Sequence, residues 1–290
     1  MENKTVLITG STSGIGKETA RALAQQGYFV IIHGRNKEKT EAVCNELKAE
    51  TGNNNIDFLI ADLLLLSAVK QMADEFKKKF KRLDVLINNA GAIFNKKREI
   101  TAEGFEKTFA LNILAPFLLT HLLLDILANS SDARIINIAS VSYKFAYKPD
   151  FKDFQSEKRY LYINNYAISK LYLIWITQHL SIILKNNGLE HITANSSEPG
   201  IVASSFGQNS DKGFFSNLVF KMFLRRPFFI SSKKAALTTV YLATSEDVKN
   251  ITGQFFNHKM KIVKPCEKYY SEENEKTVWD YCMDKIKKYL

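Results

Sequence analysis

Cysteine is scarce in this chain. Cys44, Cys266 and Cys282 are the only three in 290 residues. Their spacing suits neither a disulfide framework nor a zinc site, and reduced thiols in a cytosolic compartment are the expectation. The histidines, His33, His121, His179, His191 and His258, show no metal-ligand spacing. Each is expected to be structural or superficial, and no metal is expected. No basic–apolar–small leader pattern precedes the first apolar run, so a secretory signal is not expected. Uninterrupted apolar runs also fall short of the roughly 18 residues that span a bilayer. The longest, 111–127 and 171–184, contain Asn112, His121, Asp125, Gln178 and His179. They read as buried or amphipathic helices.

What is present is an ordinary globular composition, 46% hydrophobic, with a formal charge of +10. Nucleic acid, an anionic membrane surface and an anionic small molecule are competing explanations of that charge. Its one dense run, Lys77, Lys78, Lys79, Lys81 and Arg82, falls late in a predicted helix, where cations complement the dipole. No nucleic-acid motif accompanies it, so no nucleic-acid partner is expected.

Short apolar runs alternate with helical patterns. Strands are predicted at 5–9, 29–33, 56–61, 85–88, 134–139, 191–196 and 254–257. Helices are predicted from the glycine-rich turn to about Gly27 and over 37–50, 67–80, 101–128 with a kink at Pro116, 160–187 and 232–244. Alternation of this kind means βαβ units and a parallel sheet with helices on both faces. The continuous apolar stretches Val6–Ile8, Val30–Ile32 and Ile135–Ile138 fit strands buried on both sides. The expected class is α/β, a doubly wound sheet of about seven strands with ligands beyond the carboxyl ends of the strands.

Residues following each strand are therefore the candidates. After the first comes Gly10-Ser11-Thr12-Ser13-Gly14-Ile15-Gly16, followed by Lys17. Glycines let the backbone turn and approach a ligand closely, and the N–H groups of a helix start attract a pyrophosphate. After the second comes Gly34-Arg35-Asn36, with no acidic residue for ribose hydroxyls. Arginine there suits a 2′-phosphate, and Lys17 is expected to add positive charge. Asp62-Leu63 follows the third strand and Asn88-Asn89-Ala90-Gly91 the fourth. Asp62 offers an acceptor to an adenine amino group, and the small polar run can line a cofactor or brace the sheet.

Ser140 and Ser142 follow the fifth strand, and Tyr166 and Lys170 lie four apart on the next helix. Residues at that spacing share a helix face. An ammonium near a phenol favours the phenolate and lowers its pKa, so the pair can exchange a proton with a carbonyl or alcohol oxygen. Ser140 can hydrogen-bond the same oxygen.

Thr9-Gly10-x-x-x-Gly14-Ile15-Gly16, Asp62-Leu63, Asn88-Asn89-Ala90-Gly91, Asn112, Ser140, Tyr166-x-x-x-Lys170 and Pro199-Gly200-Ile-Val202, in this order over nearly the whole chain, resemble the short-chain dehydrogenase/reductase superfamily. The resemblance implies a Rossmann-type single domain over 1–290. It implies Tyr166 as general acid/base, Lys170 as the group that tunes it and holds the nicotinamide ribose, and Ser140 orienting the substrate oxygen. Strand alignment favours Ser140 over Ser142 for that role. Asn112 resembles the helix asparagine that supports the proton relay, and Pro199, Gly200 and Val202 the nicotinamide border. Ser204 stands where the family often has threonine. The Gly14-to-Ala20 segment, the long interval between Ser140 and Tyr166, and the tail 266–290 with Trp279 are similar to the retinol dehydrogenase-like branch, which generally prefers NADP(H). Ser196-Ser197-Glu198 before Pro199 departs from that branch.

The implied function is an NADP(H)-dependent alcohol–carbonyl oxidoreductase acting on a small, lipophilic molecule. A nucleotide-sensing or interaction protein on the same fold is the alternative, and a sugar-nucleotide epimerase or dehydratase also uses Tyr-x-x-x-Lys. Residues 205–230, rich in Phe, Arg and Lys, suit a substrate lid, a peripheral membrane contact, or core packing and a homo-oligomer surface. Residues 266–290 are expected to form a helical extension. A cytoplasmic protein, with peripheral membrane contact as one option, is the expected location.

Overall fold

Leu7, apolar like both its neighbours, pairs with Ile31 on one side and Leu86 on the other. Runs of this kind are buried on both faces, which only a sheet covered by two helical layers provides. The computed structural model describes residues 4–202, 230–265 and 267–290. Its strands are β1 (Thr5–Ile8), β2 (Phe29–Gly34), β3 (Ile56–Ile60), β4 (Val85–Asn88), β5 (Ala133–Ile138), β6 (Ile192–Ser197) and β7 (Phe255–Phe256). They form one parallel sheet in the order β3-β2-β1-β4-β5-β6-β7.

Alternate strand residues feed two cores. Val6, Ile8, Val30 and Ile32 pack with α1 (Gly14–Gln25), α2 (Lys37–Thr51) and α7 (Ser232–Thr244). Leu7, Ile31 and Leu86 pack with α3 (Leu66–Lys79), α5 (Ala115–Leu127) and α6 (Tyr162–Asn186). The class read from the sequence is thus the observed one.

The region 101–128 is less regular than a kinked helix. A short α4 (Lys107–Phe109) runs into a π turn, Ala110–Leu114, and only then into α5. Pro116 stands just after that turn, as the second residue of α5, within the continuous helical stretch Lys107–Leu127. The interruption is the π turn, which holds Asn112. Helix α6 begins two residues later than expected, at Tyr162. The stretches Lys107–Leu127 and Tyr162–Asn186 are long and apolar enough to cross a membrane, yet 78% and 67% of their most apolar windows are buried inside the fold.

A buried amide chain fixes α6 to the sheet. Asn88 donates to Thr120 Oγ1 (3.1 Å) and to Asn137 Oδ1 (2.8 Å), and Asn137 donates to Thr177 Oγ1 (2.9 Å). Directional bonds of this kind define a register that apolar contact leaves loose. The outer face of α5 and α6 is covered by α8 (Glu272–Ile286). Trp279 lies edge-on to Phe117 at 4.8 Å between ring centroids, and the buried Glu275 meets His179 Nδ1 at 2.9 Å. We expect Trp279→Ala to lower the unfolding free energy by about 3–5 kcal/mol, measured by urea titration, because the cavity opens against two helices.

Candidate active site

The strand order reverses beside β1, which pairs with β2 and β4. Connections from β1 and β4 diverge there, and a crevice is left at the carboxyl edge. Gly10 and Gly14 have φ of +63° and +56°, conformations open to glycine and strained for other residues. A Cβ on Gly10 would come within 2.9 Å of the Ala90 backbone, and one on Gly16 within 2.6 Å of the Gly10 carbonyl oxygen. Gly14 has open space beside it. Ser13 precedes α1 without a side-chain cap, and the first turn holds no acidic residue. Uncapped N–H groups with an open approach fit a pyrophosphate.

Two sets of bonds hold this turn. Thr9 Oγ1 accepts the N–H groups of Asn89 and Ala90, both at 3.0 Å, and Asn89 Nδ2 donates to the carbonyls of Thr9 and Gly10. The Asn89 amide therefore braces the two strand ends. On the other side, the Gly10 N–H donates to His33 Nδ1 at 3.0 Å, and Nε2 of the ring meets the Ala61 carbonyl at 3.1 Å. This pattern requires a neutral imidazole protonated at Nε2. Burial pushes His33 down to about 4. Ser11 Oγ accepts the His33 N–H and donates to the Ile8 carbonyl.

Around this cradle, Thr12 packs on Gly34, where an added Cβ would run into the Thr12 methyl group. Arg35 follows directly, exposed and without an ion pair among the described residues. Asn36 caps α2 by accepting the Lys39 N–H. Asp62 is exposed and accepts the Leu64 N–H, while Leu63 is buried. Lys17 departs from expectation. Its ammonium binds Glu46 at 2.5 Å on α2, so its charge is spent on helix–helix pairing, whereas Arg35 has no ion pair among the described residues.

Tyr166 and Lys170 are both buried on α6. Tyr166 hydrogen-bonds Ser140, which lowers its pKa, but burial acts more strongly and pushes the phenol up to about 12. Burial pushes Lys170 down to about 7, and its Nζ donates to the Ile138 carbonyl at 2.8 Å. The ammonium stands 5.8 Å from the Tyr166 ring centroid. Burial of the Tyr166 phenol thus outweighs the Ser140 hydrogen bond that opposes it. Asn112 lies beside Lys170. A Cβ on Gly91 would stand 3.2 Å from both Asn112 Oδ1 and Lys170 Nζ. The Asn112 side chain is itself engaged with Ala92 N–H, Ala92 O and Ser169 Oγ.

The turn after β6 is held by a residue that sequence reading treated only as a departure. Glu198, buried, accepts the Gly200 N–H at 2.6 Å and both the N–H and Nδ1 of His258. Pro199 is buried beside it, and Val202 bridges to Ile230. Ser204 and nearly all of 205–230 lie outside the described residues.

The family model "short chain dehydrogenase" matches residues 4–213. The chain belongs to the short-chain dehydrogenase/reductase family. Members of this family bind NAD(P) and oxidise or reduce alcohols and carbonyls. This short-chain dehydrogenase is 34% identical to human "Polyprenol dehydrogenase", over 96% of this chain and 83% of that one. It is 37% identical to mouse "Retinol dehydrogenase 12", over 88% and 77%. A short-chain dehydrogenase from Shigella flexneri complexed with NADP shares the fold, with a TM-score of 0.68 and 23% identity over 89% of this chain and 98% of that chain. The retinol dehydrogenase-like resemblance is thus shown.

His33 is structural, within expectation, but its place beneath the glycine turn was not foreseen. Nothing in its spacing announces a bond to Gly10, and only the adjacent strand ends bring the two together. Its folded-state pKa is depressed from 6.5 to about 4, so its contribution to stability is complete above about pH 6.5 and is lost as pH falls toward 4. That loss amounts to about 3 kcal/mol. We expect His33→Leu to flatten this acid limb in unfolding titrations across pH. At neutral pH it should cost about 1–3 kcal/mol, because the Gly10 N–H loses its acceptor.

Proposed function

We propose that this chain is an NADP(H)-dependent oxidoreductase that interconverts an alcohol with an aldehyde or ketone, with Tyr166 as the proton-transferring group. The observation that carries this reading is the buried Tyr166 hydroxyl bonded to Ser140, with Lys170 one helical turn on. The uncapped glycine turn lies across the same sheet edge. When bound, the dinucleotide supplies or accepts a hydride at its nicotinamide ring.

The protein's own residues do the rest. The turn Gly10-Ser11-Thr12-Ser13-Gly14-Ile15-Gly16 receives the pyrophosphate. Arg35, beside the Asn36-capped start of α2, receives the 2′-phosphate by charge-assisted bonds. Asp62 and Leu63 border the adenine, and Asn89, Ala90 and Gly91 line the central path. Lys170 holds ribose hydroxyls, and Pro199, Gly200, Val202 and Ser204 border the nicotinamide. Tyr166 stays protonated at neutral pH and donates its proton to the carbonyl oxygen, which Ser140 orients. Asn112, on its π turn near Lys170, supports the proton relay. Pi turns inside helices recur at functional sites.

Two observations support a lipophilic substrate: the relatives' names specify retinol and polyprenol, and apolar side chains stand exposed around the Ser140–Tyr166 edge. An NADPH-oxidation screen across aliphatic aldehydes, retinoids, steroids and quinones tests the class, with turnover of lipophilic aldehydes or ketones expected.

Tyr166→Phe should retain NADPH binding, read by fluorescence titration, and lose turnover by about 100-fold or more. Undiminished turnover would sink the mechanism. Arg35→Ala should weaken NADPH binding roughly 10- to 100-fold with little change for NADH; equal losses would reject the 2′-phosphate role. Because burial holds the Tyr166 phenol well above neutral pH, carbonyl reduction should persist on the acid side while alcohol oxidation rises with pH. Steady-state rates in both directions across pH check this, and parallel profiles would contradict it.

A further inference from the structure

The interval between Ser140 and Tyr166 carries two kinds of aromatic residue. Phe151 and Phe154 point inward. Phe154 stacks on Tyr281 of α8 at 4.1 Å between ring centroids and packs against Tyr172 of α6. Gln155 donates to the Tyr281 hydroxyl and accepts the Glu106 N–H. The segment is therefore anchored at its centre. Phe145 and Tyr147 point outward and are 72% and 62% exposed.

Two apolar residues at the start of α6 join them: Leu161, 37% exposed, and Ile163, 58% exposed. The Tyr147 N–H donates to Asn164 Oδ1 at 2.8 Å, which fixes the outward edge of the interval against α6. Four apolar side chains thus project from the two segments that carry Ser140 and Tyr166. Projection from an anchored frame marks an interaction site more firmly than scattered surface residues do.

Cations outnumber acids around this edge. Lys144, Lys148, Lys158 and Arg159 are exposed along the interval, and Tyr160 bonds the Asn95 carbonyl, bringing exposed Lys96 and Lys97 alongside. None of these six cations has an ion pair among the described residues. The acids nearby are already engaged. Asp150 and Asp153 cap turn N–H groups, and Glu157 faces Arg98. By contrast, cations such as Lys17, Lys77 and Lys107 are paired.

Apolar tips ringed by unpaired cations match the chemistry of an anionic bilayer surface, with acyl-chain boundary for the tips and phosphates for the ammonium groups. We propose that this face, built on Phe145, Tyr147, Leu161 and Ile163, docks on an anionic phospholipid membrane and opens the Ser140–Tyr166 edge toward it. These residues are not the 205–230 segment, for which the sequence offers a membrane contact as one of three alternatives. A substrate dissolved in the bilayer then reaches the proton-transferring group with little passage through water. That consequence rests on the alcohol–carbonyl reading, whereas the docking itself does not.

The test is flotation of the full chain, without substrate or dinucleotide, with phosphatidylcholine vesicles prepared with and without phosphatidylserine. Flotation is expected only with phosphatidylserine present. Phe145→Ser combined with Ile163→Ser should lower binding about tenfold or more, and Lys144→Gln combined with Lys148→Gln about tenfold. Lys185→Gln, an exposed cation at the opposite end of α6, should leave binding unchanged. All replaced side chains are exposed, and circular dichroism confirms folding.

Absence of wild-type flotation overturns the proposal, as does undiminished flotation of the Phe145/Ile163 variant. Loss in the lysine pair alone points to an acidic macromolecule and equally overturns it. Vesicle binding without turnover leaves the docking intact and counts against the enzymatic reading. Turnover without vesicle binding does the reverse.

Discussion

The ends of β1 and β4 are tied together by one hydroxyl and one amide, and the site depends on that tie. Thr9 Oγ1 takes two backbone N–H groups from the β4 turn, while Asn89 Nδ2 returns two bonds to the β1 turn. The partners are about eighty residues apart in sequence. At a topological switch point the following connections leave in opposite directions, and the backbone bonds of Thr9 to Ile87 and Ser11 to His33 are the last of the ladder there. Without the tie, the glycine turn and Gly91 would be free to separate. Gly91 in turn leaves room for Lys170 and Asn112, so one clamp relates the cofactor cradle to the proton-transfer corner.

That corner is held by burial as much as by bonding. A tyrosine pushed up to about 12 and a lysine pushed down to about 7 are two desolvated groups, each resisting its charged form. They stay in place because α6 has no freedom to withdraw. The Asn88–Asn137–Thr177 chain fixes its register on one side, and Trp279 and Glu275 of α8 close the other. The same C-terminal helix holds Phe154 and so anchors the interval that leads from Ser140 back to Tyr166.

Much of this was legible in the linear chain. Seven apolar runs alternating with helical periods specify a covered parallel sheet, and the candidate residues follow from asking what stands after each strand. Tyr166 and Lys170 are readable as a pair because four residues make one helical turn. Arg35 is readable because a strand end is a fixed address. Lys17 was not readable, since its partner Glu46 lies on the next helix but one strand away. The 101–128 region looked like a helix bent at Pro116 because composition does not distinguish a π turn from an α turn.

By itself, then, the sequence determined the class of fold, the order of the site segments and the pairing of residues within a helical turn of one another. These are properties of short spans, written in periodicity and spacing. The tertiary structure decided which polar groups are spent and which are free: His33 on Gly10, Asn89 on Thr9, Glu198 on Gly200, and Arg35 left open. It also decided the sense of the Tyr166 shift. Hydrogen bonds between strand ends and the cost of burying charge depend on distance in space and on exclusion of water, and neither is recorded in the order of residues along the chain.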